Sequence, residues 1–281
     1  MPAVTTHEVC SSDGTRIQFY CLGGDGPDLL ICHATGFHAM AYAPLGLELL
    51  QHFRVWALDF RGHGRSDESA TGEYAWKLMN EDLLACAGHI GASPMFGFGH
   101  SMGGAALVGA QAAQPEIFKA LYLYEPVILP TEFYQAGDPS LLVNSALKRR
   151  QVFSSRSEAL QRYASRLPLS TLHADALAAY VEHGFVDTPD GQVRLACRAE
   201  VEAATFEASD YISLEAVPPL EVPVVVAAGG LASIPNPGQF AVGISEQLPQ
   251  ARFHRFDDLG HLGPLESPVG VAQHVAATLL A

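Results

Sequence analysis

Between residues 94 and 108 the chain reads Pro94-Met95-Phe96-Gly97-Phe98-Gly99-His100-Ser101-Met102-Gly103-Gly104-Ala105-Ala106-Leu107-Val108. The apolar run Pro94–Phe98 has the length of a buried strand. It ends in a G-x-S-x-G element, and a helical pattern from Met102 to Gln114 follows, stopped by Pro115. A serine on such a sharp strand–turn–helix junction has a strained backbone. The small Gly99 and Gly103 let strand and helix approach until the hydroxyl projects outward. The helix N-terminus adds unpaired N–H groups and a partial positive charge beside that hydroxyl.

Outward from this junction, Asp28–Cys32, Arg54–Leu58 and Ala120–Tyr124 are further apolar runs of strand length, separated by helical patterns at Tyr42–His52 and Tyr74–His89. Strand and helix in alternation predict the α/β class, with a mostly parallel central sheet flanked by helices. Asp13-Gly14 predicts an opening hairpin between His7–Ser11 and Arg16–Leu22. From Pro126 to about Leu220 the rhythm is helical, with no convincing buried strand. Ser155-x-x-Glu158 has capping-box spacing ahead of Leu160, Tyr163, Ala164 and Leu167, a helix stopped by Pro168. Leu172–His183 predicts another, with Gly184 as its C-terminal cap. Sheet signals return at Pro223–Ala228 and Arg252–Phe256, and Pro268–Leu280 predicts a last helix. The helical stretch therefore interrupts a β/α domain: residues 1–125 and 221–281 form the core, and 126–220 are inserted.

At 281 residues, with 48% hydrophobic and 16% charged positions, the chain has the composition of a packed protein, so disorder and fibrous repeats are excluded. A formal charge of −14 repels phosphate backbones and anionic lipid surfaces, and no apolar run approaches the roughly 20 residues of a membrane span. Neither nucleic acid nor membrane is an expected partner. The five cysteines, Cys10, Cys21, Cys32, Cys86 and Cys197, lie far apart without a C-x-x-C pair. Free buried thiols in a reducing cytoplasm follow.

The junction at Ser101 resembles that of the α/β-hydrolase superfamily, and the resemblance extends over most of the chain outside the insertion. His33-Ala34-Thr35-Gly36-Phe37, directly after a strand, is similar to the family's oxyanion loop, which implies that the backbone N–H groups of Thr35 and Met102 form the oxyanion hole. Asp59-Phe60-Arg61-Gly62-His63-Gly64-Arg65-Ser66-Asp67 is similar to a loop that many members carry, with a structural role implied for it and a supporting one for His63 and His100. Asp257-Asp258-Leu259-Gly260-His261 resembles the terminal histidine loop, and Ser before His matches the family's chain order. His261 is thus implied as the base that takes the Ser101 proton. Glu266 reads as a cap of the last helix or an anchor of its loop.

The resemblance also implies an aspartate after the strand preceding that histidine. Val224-Val225-Val226-Ala227-Ala228-Gly229-Gly230-Leu231-Ala232-Ser233-Ile234-Pro235-Asn236 contains no carboxylate. An imidazole acting as base needs a partner that fixes its tautomer. Glu125, closing the strand Ala120–Tyr124, is the first candidate. Asp257 or Asp258 comes next, with Asn236 or Ser233 as neutral partners.

In the family an insertion at 126–220 is a helical cap over the active site. Phe133, Tyr134, Leu141, Leu142, Phe153, Tyr180, Phe185 and Phe206 are available to line an apolar pocket, although most are expected in the cap's own core. Lys148, Arg149, Arg150, Arg156, Arg162 and Arg166 make this segment locally basic. They read first as a solvated helix face, with attraction of a carboxylate-bearing substrate as the alternative. The resemblance implies hydrolysis of a carboxylic ester or related acyl bond of a small, largely apolar molecule, with no metal or organic cofactor. Cleavage of a C–C bond in a dioxo acid is one alternative, and a ligand-binding, non-catalytic member of the fold is another. The number of subunits is not legible; a homodimer is left open.

Overall fold

A computed structural model describes residues 4–92, 94–132, 140–208, 210, 212–231 and 236–281. Its strands are β1 (Thr5–Cys10), β2 (Arg16–Gly23), β3 (Asp28–Cys32), β4 (Arg54–Leu58), β5 (Met95–His100), β6 (Phe118–Tyr124), β7 (Val152–Phe153), β8 (Phe185–Asp187), β9 (Val193–Leu195), β10 (Val224–Gly229) and β11 (Ala251–Phe256). The helices are α1 (Ala43–Leu49), α2 (Trp76–Ile90), α3 (Met102–Ala113), α4 (Ser140–Leu147), α5 (Arg156–Ala164), α6 (Ala174–His183), α7 (Ala199–Glu207), α8 (Ala241–Gln247), α9 (Gly263–Glu266) and α10 (Pro268–Leu279).

An eight-stranded sheet runs in the order β1-β2-β4-β3-β5-β6-β10-β11. The opening hairpin is antiparallel and meets β4 antiparallel, while the strands from β4 to β11 pair parallel. Alternation within the strands sends their side chains to two cores. Leu29, Ile31, Phe98, Tyr122 and Tyr124 face α1 and α10, and Leu30, Cys32, Leu121, Leu123 and Val226 face α2 and α3. The order reverses beside β3: β4 lies on one side and β5 on the other. Sites in open parallel sheets collect at the carboxyl ends of strands beside such a reversal.

Among the described residues, no strand of the large sheet comes from 126–220. That stretch holds a sheet the sequence did not signal, β7-β9-β8, antiparallel and two or three residues per strand. Strands this short carry too little alternation to register as a pattern. Ser155 caps α5, its hydroxyl accepting from the Glu158 N–H at 3.2 Å, while the Glu158 carboxylate reaches back to the Ser154 N–H at 2.8 Å instead of that of Ser155; the helix ends at Ala164, ahead of Pro168. Gly184 follows α6 at φ −87°, without the left-handed cap expected of it. A Cβ there would press on the Tyr180 carbonyl and the His38 ring, so glycine serves close packing at this position. The insertion's ends are held together. Leu214 N–H donates to the Leu129 carbonyl at 2.9 Å, and the Asp210 carboxylate accepts from the first N–H groups of α2, those of Trp76 and Lys77, at 2.7 and 2.8 Å. All five cysteines are free, but Cys10 is exposed and Cys21 half-buried, so only Cys32, Cys86 and Cys197 match the expectation of burial. Among the described residues no helix is long and apolar enough to cross a membrane.

Candidate active site

Ser101 sits between β5 and α3 with φ 57° and ψ −118°, a left-handed backbone that non-glycine residues rarely adopt. Gly103 makes it feasible, because a Cβ there would run into the Cys32 carbonyl at the end of β3. The Ser101 N–H donates to the Tyr124 carbonyl at 3.0 Å, and its carbonyl accepts from the Val127 N–H at 3.2 Å. The residues on either side of Glu125 are therefore clamped to the serine. Glu125 is the other non-glycine residue of positive φ, at 42°, among those described.

The Glu125 carboxylate is 1% exposed and divides its oxygens between two donors. Oε1 accepts from the Gly229 N–H at 2.8 Å, and Oε2 accepts from His261 Nδ1 at 2.6 Å. With Nδ1–H engaged, the Nε2 lone pair of His261 is left to act as a base. Gly238 packs directly against this pair: a Cβ on it would lie 2.5 Å from Glu125 Oε1. The competing partners are elsewhere. Asp257 is exposed and pairs with Arg255 at 3.0 Å, and neither Asp258 nor Asn236 bonds the ring. Ser233 lies outside the described residues.

The histidine's loop is tied down on several sides. Tyr124 hydroxyl donates to the Gly260 carbonyl at 2.9 Å, Gly260 N–H donates to Glu266 at 2.8 Å, and His100 Nε2 donates to the His261 carbonyl at 2.8 Å. Glu266 is thus a loop anchor, as expected from the sequence. Because Nε2 of His100 carries the proton, Nδ1 accepts from Tyr42 hydroxyl at 2.6 Å, and that hydroxyl accepts from the Ala34 N–H at 3.1 Å. One buried chain of hydrogen bonds thereby joins the loop after β3, the strand bearing the serine and the backbone of His261. Burial holds His100 well below the usual histidine range, so its ring stays neutral and keeps this tautomer. Tyr42 gave no signal in sequence, since an aromatic residue in an apolar helical run reads as core.

Thr35 and Met102 come together: the Thr35 hydroxyl donates to the Met102 sulfur at 3.3 Å. Among the described residues neither backbone N–H has an acceptor. His33 accepts the Phe60 N–H at 3.0 Å on Nε2 and donates to the Ala34 carbonyl at 2.8 Å from Nδ1; His63 accepts the Gly36 N–H at 3.1 Å. Both histidines hold the loop after β3 against the loop after β4. In that second loop Asp59 accepts from Ala39 and Arg65 N–H groups at 2.7 and 2.8 Å, and burial pushes its carboxyl up to about 6. Arg61 is fully buried and bonds two carboxylates, Asp82 at 2.6 Å and Asp13 at 2.7 Å, as well as the Leu78 carbonyl at 3.4 Å.

A cavity of about 1130 Å³ opens beside His261 and Thr35. Leu142, Tyr180 and Phe206 line it as expected, whereas Phe153 and Phe185 are core and Leu141 is exposed. Phe133 and Tyr134 lie outside the described residues. Lys148, Arg149, Arg150, Arg162 and Arg166 form part of the wall, while Arg156 pairs with Asp187 at 2.5 Å away from it. Lys148, Arg150 and Arg166 are exposed, in keeping with the first reading of this basic segment as a solvated face, whereas Arg149, Arg156 and Arg162 are half-buried. Among the described residues no group of three or more His, Cys, Asp or Glu side chains is placed to hold a metal ion.

The alpha/beta hydrolase family model matches residues 29–274, and the chain belongs to that family. It is 27% identical over 180 residues to a type I acyl-CoA thioesterase of Penicillium brevicompactum, covering 59% of this chain and 41% of that protein. The chain thus spans less than half of that relative's length. It is 28% identical over 246 residues to the magnesium-chelatase 30 kDa subunit of Rhodobacter capsulatus, covering 85% of this chain and 81% of that one. The crystal structure of E-2-(acetamidomethylene)succinate hydrolase superposes with a TM-score of 0.79 at 22% identity, over 99% of this chain and 100% of that one. At that identity the likeness is one of fold.

Proposed function

We propose that this chain is a serine hydrolase that cleaves a carboxylic ester, or a related acyl bond, of a small and largely apolar substrate. The observation that carries the proposal is the buried Glu125 carboxylate 2.6 Å from His261 Nδ1, on a strand end clamped to Ser101. Ser101 Oγ attacks the carbonyl carbon as His261 Nε2 takes its proton. Glu125 holds the ring's tautomer and stabilises the imidazolium that forms. The oxyanion of the tetrahedral intermediate takes the N–H groups of Thr35 and Met102, which are left without acceptors until then. His261 returns the proton to the departing alcohol or thiol, and water, activated in the same way, hydrolyses the acyl-enzyme. Residues 126–220 act as a lid over the core formed by 1–125 and 221–281, and they select what enters, since they supply much of the cavity wall. The unpaired thiols support a reducing, cytoplasmic setting.

The thioesterase relative supports a thioester as the related acyl bond. Cleavage of a C–C bond in a dioxo acid is a second reading, supported by the cations on the cavity wall. Side-by-side turnover of p-nitrophenyl esters of graded chain length, an acyl thioester and a dioxo acid tests these readings. Rapid cleavage of a short or medium ester is expected. Turnover of the dioxo acid alone would replace ester hydrolysis with the second reading, and no turnover of any would favour a ligand-binding role on this scaffold.

A further inference from the structure

The cavity's charge runs against that of the protein. Of the 16 Lys and Arg residues in a chain of net charge −14, five line this one cavity. Two are already answered by carboxylates, Arg149 by Glu202 at 2.9 Å and Arg150 by Glu158 at 2.8 Å. Lys148, Arg162 and Arg166 make no ion pair among the described residues. Tyr163 stands between two of them in sequence. Its ring is packed against Phe153 and Tyr180, it is 8% exposed, and its hydroxyl has no hydrogen-bond partner among the described residues. A buried phenol without a partner costs free energy unless something supplies an acceptor.

The wall itself offers a template for that acceptor. Arg149 donates both to the Glu202 carboxylate and to the Tyr180 hydroxyl, whose own proton goes to the Gly36 carbonyl, so one arginine here already holds a carboxylate of the protein's own. Arg162 and Arg166 offer the same donor with no carboxylate paired to it among the described residues, and the Tyr163 hydroxyl adds one without a partner. We infer that this cavity wall is a subsite for a carboxylate on the substrate, remote from the bond that is cut. The inference rests on the proposed hydrolase chemistry for the identity of that bond, but the subsite's binding does not depend on it. Guanidinium groups suit a carboxylate because their forked donors match its two oxygens.

The test pairs substrates that differ only in that charge. For the intact protein, p-nitrophenyl hemiglutarate is expected to have a kcat/KM at least tenfold above that of p-nitrophenyl butyrate. Arg162→Gln, Arg166→Gln and Tyr163→Phe should each reduce this ratio by about 3- to 10-fold, the scale of one lost charge-assisted or neutral hydrogen bond. Arg156→Gln, on the same helix but paired outside the cavity, should leave the ratio alone. Calorimetric titration of Ser101→Ala with monomethyl glutarate and dimethyl glutarate reads the subsite without turnover. Tighter binding of the monoester, weakened by Arg166→Gln, supports it even if neither ester is cleaved, an outcome that would defeat only the hydrolase proposal. Equal binding of monoester and diester overturns the subsite. So does a preference confined to coenzyme A thioesters over their N-acetylcysteamine analogues, which would assign the cations to phosphate.

Discussion

His261 Nδ1 and Glu125 Oε2 lie 2.6 Å apart although 136 positions separate the two residues, and the carboxylate is buried where the histidine is partly open. Removing the charge while keeping the shape isolates its contribution. Glu125→Gln is expected to lower kcat by about 10³- to 10⁴-fold, as loss of the corresponding acid does in serine proteases. Steady-state kinetics beside thermal melting checks this, and wild-type turnover in a folded variant would remove Glu125 from the mechanism.

Gly238→Ala approaches the same pair from outside. The new Cβ would fall 2.5 Å from Glu125 Oε1, so the carboxylate has to shift away from His261. A misplacement of this size predicts a fall in turnover of about 10²-fold. Far-ultraviolet circular dichroism should match that of the wild type, and unchanged kcat would show that the pair tolerates the displacement.

Tyr42→Phe leaves the Ala34 N–H and His100 Nδ1 without partners in a buried site. The expected cost is about 1–3 kcal/mol, read as a lower urea midpoint with an unchanged slope. No loss of stability would mean that the chain of bonds between these loops contributes little.

Four buried histidines, His33, His38, His63 and His100, are held below their ordinary range by burial, His38 at about 3. In the unfolded chain each takes up a proton near pH 6.5, and in the fold it does not. The unfolded state therefore binds more protons below that pH. The stability these groups contribute is fully present above pH 6.5 and is lost as pH falls, by about 1.4 kcal/mol per pH unit for each fully neutral ring. Asp59, raised to about 6, and Asp82, also raised by burial, act in the opposite direction, but they are two groups against four. Urea midpoints should change little from pH 7.5 to about 6.5 and fall from there to 5.0; a flat or rising series below pH 6.5 would contradict the buried neutral assignment.

The sheet was legible because its strands are continuous apolar runs and its key turn carries G-x-S-x-G, both local signals. Glu125 could be nominated because a carboxylate at a strand end is a local feature too, but the choice among Glu125, Asp257 and Asp258 needed three dimensions. What stayed hidden depends on partners remote in sequence. The N-terminus of α2 is capped by Asp210 across 134 positions, and Tyr42 reaches His100 across 58. No window of sequence contains both ends of either contact. The short β7-β9-β8 sheet was missed for a different reason, since two or three residues cannot show a period. The cations at 148–166 were visible as a basic run, but only folding separates Arg156, turned to Asp187, from Arg162 and Arg166 on the cavity wall.

Reaction with a fluorophosphonate, read by intact mass and peptide mapping, tests most directly whether Ser101 is an activated nucleophile. The expected result is one adduct, on Ser101, absent in Ser101→Ala and formed far more slowly in His261→Ala and Glu125→Gln. A folded protein that gives no adduct on Ser101 would contradict serine hydrolase chemistry at this site.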